Sequence, residues 1–393
     1  MSSSPDRQVV ILTAATWGSG LHALRSAKSR QVRTVAMAVG ASASVFRASR
    51  FCDDAVEISD APDSDLGDVL VRALGRLRSI PTLVIPLSDR LAAVLDGVGS
   101  RLGPHVTISG DSSPTLERLL SKSDQAVLAA RIGLDVPAWA RVSRDGGMDT
   151  ALDLPLPVVV KPDGVRTSPG DCSKVEVFDS RGALERRLSD LVSQDATVMV
   201  QHRIVAAEDA VEFALLWRSP RSDASVLCTG RKARLAHRDG GVMVWGEALE
   251  LPDVAVATAA FVDESRFRGL GGAEFIRVAG HLWFIEFNPR LEAIHFLGSA
   301  SGVDLVALEV GSWLGDPDSV PPAGGPAAAW VGSAAFARLR AEPSALPRLL
   351  GDRRRFGRFA RRRKSMLAAD DLMPIIALWW LMAVRGARRL VGR

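Results

Sequence analysis

The sequence predicts a mixed α/β and α+β protein: a parallel strand–helix region, then a mostly antiparallel region with flanking helices, then a basic tail. Three observations predict it. Short apolar runs alternate with helix-spaced stretches over roughly the first 110 residues. After residue 114 the strands become longer and follow one another, with a hairpin around Ala279-Gly280. Charge is also uneven. Residues 351–393 carry twelve Arg and Lys against three Asp, a net of +9, which leaves −5 on the rest of a chain whose total is +4.

The elements follow in order. QVVILTA (8–14), RTVAMAV (33–39), DDAVEI (53–58) and PTLVIPL (81–87) are apolar runs of strand length. Helical spacing lies between them, in LHALRSAKSR after the TWGSG turn and in the amphipathic stretch 66–79. SPTLERLLSKSDQAVLAARIGL predicts a helix pair closed by Gly133 and Pro137. Strands are then predicted at PVVVKP (157–162), KVEVF (174–178), ATVMVQHRI (196–204), VEFALLW (211–217), ASVLCTGRKARLA (224–236), AEFIRV (273–278) and HLWFIEFN (281–288).

Composition excludes several classes. With 47% hydrophobic and 24% charged residues, the chain is neither disordered nor collagen-like. Cys52, Cys172 and Cys228 lie far apart with no CxxC, which points away from a disulfide framework or structural zinc and towards the cytoplasm. MSSSPDRQVVIL has no signal-peptide pattern. The basic surplus belongs to the tail, so no nucleic-acid partner is implied. No HExxH, G-x-S-x-G or Gly-Lys-Ser/Thr motif occurs. Gly18-Ser19-Gly20-Leu21-His22-Ala23 fits GxGxxA, but TVAMAVGASA supplies no acidic ribose ligand. A tight packing turn is the better reading there.

The second half carries the chemistry. Glu286 and Asn288 are two apart on one predicted strand and share a face, together with Leu282 and Phe284. Two oxygen ligands in an apolar strand need a partner, and Mg²⁺ is suitable. Glu274 sits across from Glu286 if the hairpin loop has three residues (279–281), whereas a two-residue loop puts it on the other face. Lys161 ends an apolar strand beside a Gly/Ser/Asp loop (163–173), a position suited to phosphate. Only six lysines occur, at 28, 122, 161, 174, 232 and 364.

From about residue 8 to 330 the chain resembles the ATP-grasp superfamily. The likeness is carried by SKSDQAVLAARIGLDVP, VVVKP, VMVQHRIVAAEDAVEF and GGAEFIRVAGHLWFIEFNPR. E-x-N-P-R closing a hairpin strand is the most specific mark, and relatives of the carbamoyl-phosphate synthase large subunit look especially close. The resemblance implies a Rossmann-like domain over 1–112 and a two-subdomain ATP-grasp domain over 113–330, with a mobile lid about 157–200. A basic, partly apolar helical tail fills 331–393.

It also implies roles. Lys122 and Lys161 contact nucleotide phosphates. Gln201, His202, Arg203 and Ile204 form the strand beside adenine, and Glu208 takes the ribose. Glu274, Glu286 and Asn288 hold Mg²⁺. Arg290 faces the γ-phosphate and acyl phosphate, with Arg231 or Lys232 approaching from a neighbouring strand. Residues 163–173 fold over ATP. Gln201 and Ala206 stand where Glu and Gly are frequent. The implied activity is ligation of a small carboxylate to an amine through an acyl phosphate. A carbamoyl-phosphate-synthase-like kinase step and a non-catalytic nucleotide-binding scaffold at the membrane are the alternatives.

In the tail, RRRFGRFARRRK (353–364) and RGARRLVGR flank the uncharged LMPIIALWWLMAV (372–384). Thirteen helical residues span roughly 20 Å, short of a bilayer core of roughly 30 Å. Two readings remain open: a helix lying on an anionic inner-membrane surface, or one packed on the enzyme or a dimer partner.

Overall fold

Five parallel strands form the first sheet: β1 (Gln8–Thr13), β2 (Arg33–Val39), β3 (Asp54–Ile58), β4 (Thr82–Pro86) and β5 (Val106–Ile108), in the order β3-β2-β1-β4-β5. The computed structural model describes residues 6–14, 17–77, 79–165, 175–237, 240–318, 320–321, 324–330, 338–339, 342–345, 347, 363–365, 371–374, 376–377 and 380. β1 is buried along its whole length. Val9 and Ile11 enter one core while Val10 and Leu12 enter another, so its two faces serve two helix layers. Helix Trp17–Lys28 covers the first face; Asp63–Gly75 and Asp89–Gly97 cover the second.

The glycine motif is explained by packing. A Cβ on Gly20 would stand 2.8 Å from the Phe46 ring. The Ser19 hydroxyl donates to the Ala293 carbonyl at 2.6 Å, tying the start of this helix to the segment after the hairpin.

The second sheet is β6 (Trp139–Val142), β7 (Val158–Pro162), β8 (Glu176–Phe178) and β9 (Val198–His202), in the order β6-β9-β7-β8 with every pairing antiparallel. Alternation divides β7: Val158 and Val160 pack with Leu184, Leu188 and Leu191 of helix Arg181–Ser193, leaving Val159 and Lys161 on the opposite face. Met199 and Gln201 of β9 join them there, since Val198 and Val200 enter the same helix-backed core.

The third sheet contains β10 (Val211–Arg218), β11 (Ser225–His237), β12 (Gly240–Ala248), β13 (Gly269–Val278), β14 (His281–Asn288), β15 (Ala327–Trp330) and β16 (Arg363–Ser365). Its order is β14-β13-β10-β11-β12-β15-β16. One face is buried under helix Pro252–Ser265, with Phe261 stacked on Phe284 and close to Phe287.

One sequence-based expectation changes, and a point the sequence left open is decided. First, β15 pairs with β12 and β16 with β15, so the main sheet continues across the expected boundary at 330 and takes in a short strand from the tail. Asp371 is buried as well and accepts hydrogen bonds from the Ser49 hydroxyl (2.6 Å) and the Arg50 amide (3.1 Å). Most of the basic run 353–364 and part of 372–384 lie outside the described residues, as do 166–174 of the expected loop.

Second, the hairpin loop, left open between two and three residues, has two, Ala279 and Gly280, both with positive φ (51° and 85°). By itself such a turn would put Glu274 on the other face. Phe275 pairs with Phe284, yet Glu274 pairs with Glu286. The extra residue, Ile285, is a β-bulge that shifts the register by one. The same bulge moves Leu282 and Phe284 off the Glu286 face and onto that of Phe287, in the apolar core.

Candidate active site

A cleft with a cavity of about 230 Å³ lies between the second and third sheets. The second sheet contributes Val159, Lys161, Gln201 and His202, followed by Arg203, Ile204 and Glu208. From the third sheet come Lys232, Glu274, Ile276, Ile285 and Glu286. The six residues expected beside adenine, ribose and phosphate at 161, 201–204 and 208 therefore share one cavity wall.

Lys122 enters from a different element, helix Lys122–Arg131, capped by Ser121. One turn further on, the Gln125 amide pairs with the backbone of Phe287. It donates to the carbonyl (2.7 Å) and accepts from the N–H (2.8 Å). This bond covers the open edge of β14 and sets the Lys122 ammonium 3.3 Å from Glu286. Gln125 was not singled out in the sequence; its partner is 162 residues away.

The charges alternate. Lys232 donates to Glu274 at 2.5 Å. Lys161 donates to Gln201 (3.0 Å) and to the Ile285 carbonyl (3.4 Å) that the bulge presents. Asn288 donates to Glu292 at 2.5 Å and to Glu286 at 3.4 Å. Arg290 is held by Asp89 (3.0 Å), Glu292 (3.0 Å) and Asn288 (3.3 Å). Asp89 and Glu292 were not foreseen. Asp89 begins helix Asp89–Gly97 beside the first sheet, and no local pattern joins it to a residue 201 positions on.

These contacts set the ionisation. Lys122 is the main cause that holds the Glu286 carboxyl down, at about 2, against its own burial. Burial raises Glu274, and the neighbouring Glu286 adds to this while Lys232 opposes it. Burial lowers the Lys161 ammonium to about 8, and the like charge of Lys122 adds to the effect. Lys122 and Lys232 are pressed down by burial, yet their carboxylate partners leave both raised.

Two expectations need comment. Arg231 does not join the cluster. The register pairs it with Glu212 and Glu247, while Lys232 pairs with Val211 and Gly246. Alternation therefore places Arg231 on the helix-covered face, 3.7 Å from Glu247, and Lys232 in the cleft. Glu208 is engaged by Arg338 at 3.3 Å and by the Leu235 amide at 3.3 Å. Arg338 comes from beyond residue 330 and is almost fully buried.

For a metal, Glu274, Glu286 and Asn288 supply oxygen donors on one sheet face, a set that suits a hard cation such as Mg²⁺. As they stand, the two carboxylates hold Lys232 and Lys122. Among the described residues no three acidic, histidine or cysteine side chains close around a metal position. His202 lines the cavity, with Nδ1 2.8 Å from the Pro155 carbonyl.

The fold is that of the ATP-grasp enzymes. The chain matches pyruvate carboxylase T882A of Rhizobium etli, solved with acetyl coenzyme A, with a TM-score of 0.63 and 16% identity over 82% of this chain; it spans only 31% of that one. It matches N5-carboxyaminoimidazole synthetase of Staphylococcus aureus, complexed with ADP, with a TM-score of 0.60 and 13% identity over 82% of this chain and 81% of that one. A third match is the biotin carboxylase domain dimer of Hydrogenobacter thermophilus 2-oxoglutarate carboxylase, with MgADP, ADP and bicarbonate. There the TM-score is 0.60 and identity 15%, over 81% of this chain and 71% of that one. No protein-family model and no curated protein sequence matches the chain.

Proposed function

We propose that the chain is an ATP-dependent ligase that activates a small carboxylate as an acyl phosphate for attack by an amine. The observation that carries this reading is that Lys161, Lys232, Glu274 and Glu286 line one cleft, with Lys122 paired to Glu286 and with Asn288 and Arg290 joined to the same cluster by hydrogen bonds. Fold neighbours that hold ADP, in one case with magnesium, support it.

In this reading the base lies between Val159, Ile276 and Ile285, flanked by Gln201 to Ile204, with Glu208 towards the ribose. Lys161 and Lys122 turn from Gln201 and Glu286 to the phosphates. Glu274, Glu286 and Asn288 hold Mg²⁺, which when bound neutralises phosphate oxygens. The γ-phosphoryl group passes to a carboxylate oxygen: its bond to ADP breaks as the new P–O bond forms. Arg290, oriented by Asp89 and Glu292, faces the charge that develops, and Lys232 adds a second cation. The amine then attacks the acyl carbon, phosphate leaves, and the amine loses a proton.

The test is a screen of amino acids and small carboxylates for ADP and phosphate release, with products identified by mass spectrometry. Release that depends on both a carboxylate and an amine supports the reading. Release with a carboxylate alone supports the carbamoyl-phosphate-synthase-like step instead.

We extend the proposal to a cytoplasmic protein held at an anionic membrane surface. Among the described residues no helix is long and apolar enough to cross a membrane. Leu372, Met373, Ile376 and Trp380 are nonetheless 53–71% exposed, within a segment of net charge +9. A homodimer is the other partner this reading admits.

A further inference from the structure

Asp163 ends up fully buried, two residues after Lys161 and at the N-terminus of the helix that carries Lys122. Its carboxylate accepts from the Ser123 amide (2.9 Å), the Ser121 hydroxyl (3.2 Å) and the Ser123 hydroxyl, and it pairs with Arg141 of β6 at 3.1 Å. Its own amide donates to the Thr197 carbonyl at 3.1 Å. Val165, two residues on, packs against Ala92, Ala93, Leu116 and Leu120.

A buried carboxylate is costly unless donors surround it. Here three donors come from the two residues that flank Lys122, and Arg141 adds a charged partner from β6. One side chain therefore joins the strand of one candidate phosphate lysine to the helix of the other, 40 residues apart in sequence. A negative charge at a helix N-terminus is also stabilised by the positive end of the helix dipole, which holds this joint in place.

We propose that Asp163 is a positioning residue that sets Lys122 and Lys161 as one phosphate-binding pair. It touches neither substrate nor metal in this account and acts through the two lysines. The inference rests on the nucleotide reading above.

The test is a double-mutant cycle on the full chain, read as the dissociation constant for the β,γ-imido analogue of ATP with Mg²⁺ by calorimetry. Circular dichroism checks folding at the working temperature. Asp163→Ala should weaken binding at least about tenfold, because the lysines lose their common anchor. Asp163→Asn keeps an acceptor for the Ser123 amide and should stay within about threefold of wild type. Asp163→Ala added to Lys122→Ala should cost less than it does alone, since one of the two lysines it positions is already gone. A purely structural role predicts a lower melting temperature with unchanged affinity, and that result would overturn the inference while the nucleotide reading stands. Fully additive losses would overturn it too. Absence of any binding by the wild-type chain would instead overturn the nucleotide reading on which it rests.

Discussion

Glu274 and Glu286 face each other across β13 and β14, and they do so because Ile285 bulges out between Glu286 and Phe284. The two-residue turn alone would have separated them. The bulge also turns the Ile285 carbonyl towards Lys161. One extra residue thus brings two carboxylates and a lysine to one place, a common use of bulges beside active sites.

That relationship predicts different outcomes on the two sheet faces. Glu286→Gln and Asn288→Ala should each lower turnover by at least about 100-fold, the scale for losing charge stabilisation in a site. Arg231→Gln, on the helix-covered face, should leave ATP affinity within about twofold, whereas Lys232→Gln should weaken it. ADP-release rates for the first two variants and calorimetry for the last two check this. Equal losses at Arg231 and Lys232 would show that the face assignment is wrong.

Lys161 predicts a pH dependence. Burial holds its ammonium at about 8, and phosphate binding needs the charged form. ATP affinity should therefore fall as pH rises from 7 to 9.5. Lys161→Arg, always charged, should flatten that profile. Lys161→Ala should weaken binding at least about tenfold while the circular dichroism spectrum stays native.

Much of this was legible in the sequence. QVVILT and VVVKP follow rules of period and burial that act locally, so the parallel sheet and the place of Lys161 could be read directly. Glu286 and Asn288 were legible for the same reason. Arg290 was read from its motif, but its partner Asp89 was not, because that contact joins residues 201 positions apart. The face of Glu274 could not be read, since a bulge leaves no local signature in HLWFIEFN. Arg231 and Lys232 are adjacent, and only the register of β10 with β11 decides between them.

His295 predicts a stability effect. Burial lowers its imidazole from 6.5 to about 4, and Nε2 is buried without a hydrogen-bond partner among the described residues. Between those two values the unfolded chain binds a proton that the folded chain refuses. Stability from this group is complete above pH 6.5 and falls as pH drops towards 4. Denaturant titrations across that window should show the slope, and His295→Phe should reduce it.

The tail predicts two separable effects. Removing residues 351–393 takes away β16 and Asp371, and it should lower the melting temperature by several degrees. Trp380→Ser, at a 71% exposed position, should leave the melting temperature unchanged and weaken co-sedimentation with anionic vesicles at low salt. Failure of the full-length protein to co-sediment would remove the membrane proposal and leave the packing role.

Acyl phosphate formed in the cleft can be trapped with hydroxylamine in the presence of Mg²⁺, ATP and pools of small carboxylates. Hydroxamate and ADP should appear in equal amounts from the wild-type chain with at least one pool, and neither from Glu286→Gln. A wild-type chain that binds ATP yet yields neither hydroxamate nor ADP with any pool would contradict acyl phosphate formation and mark the protein as a nucleotide-binding module.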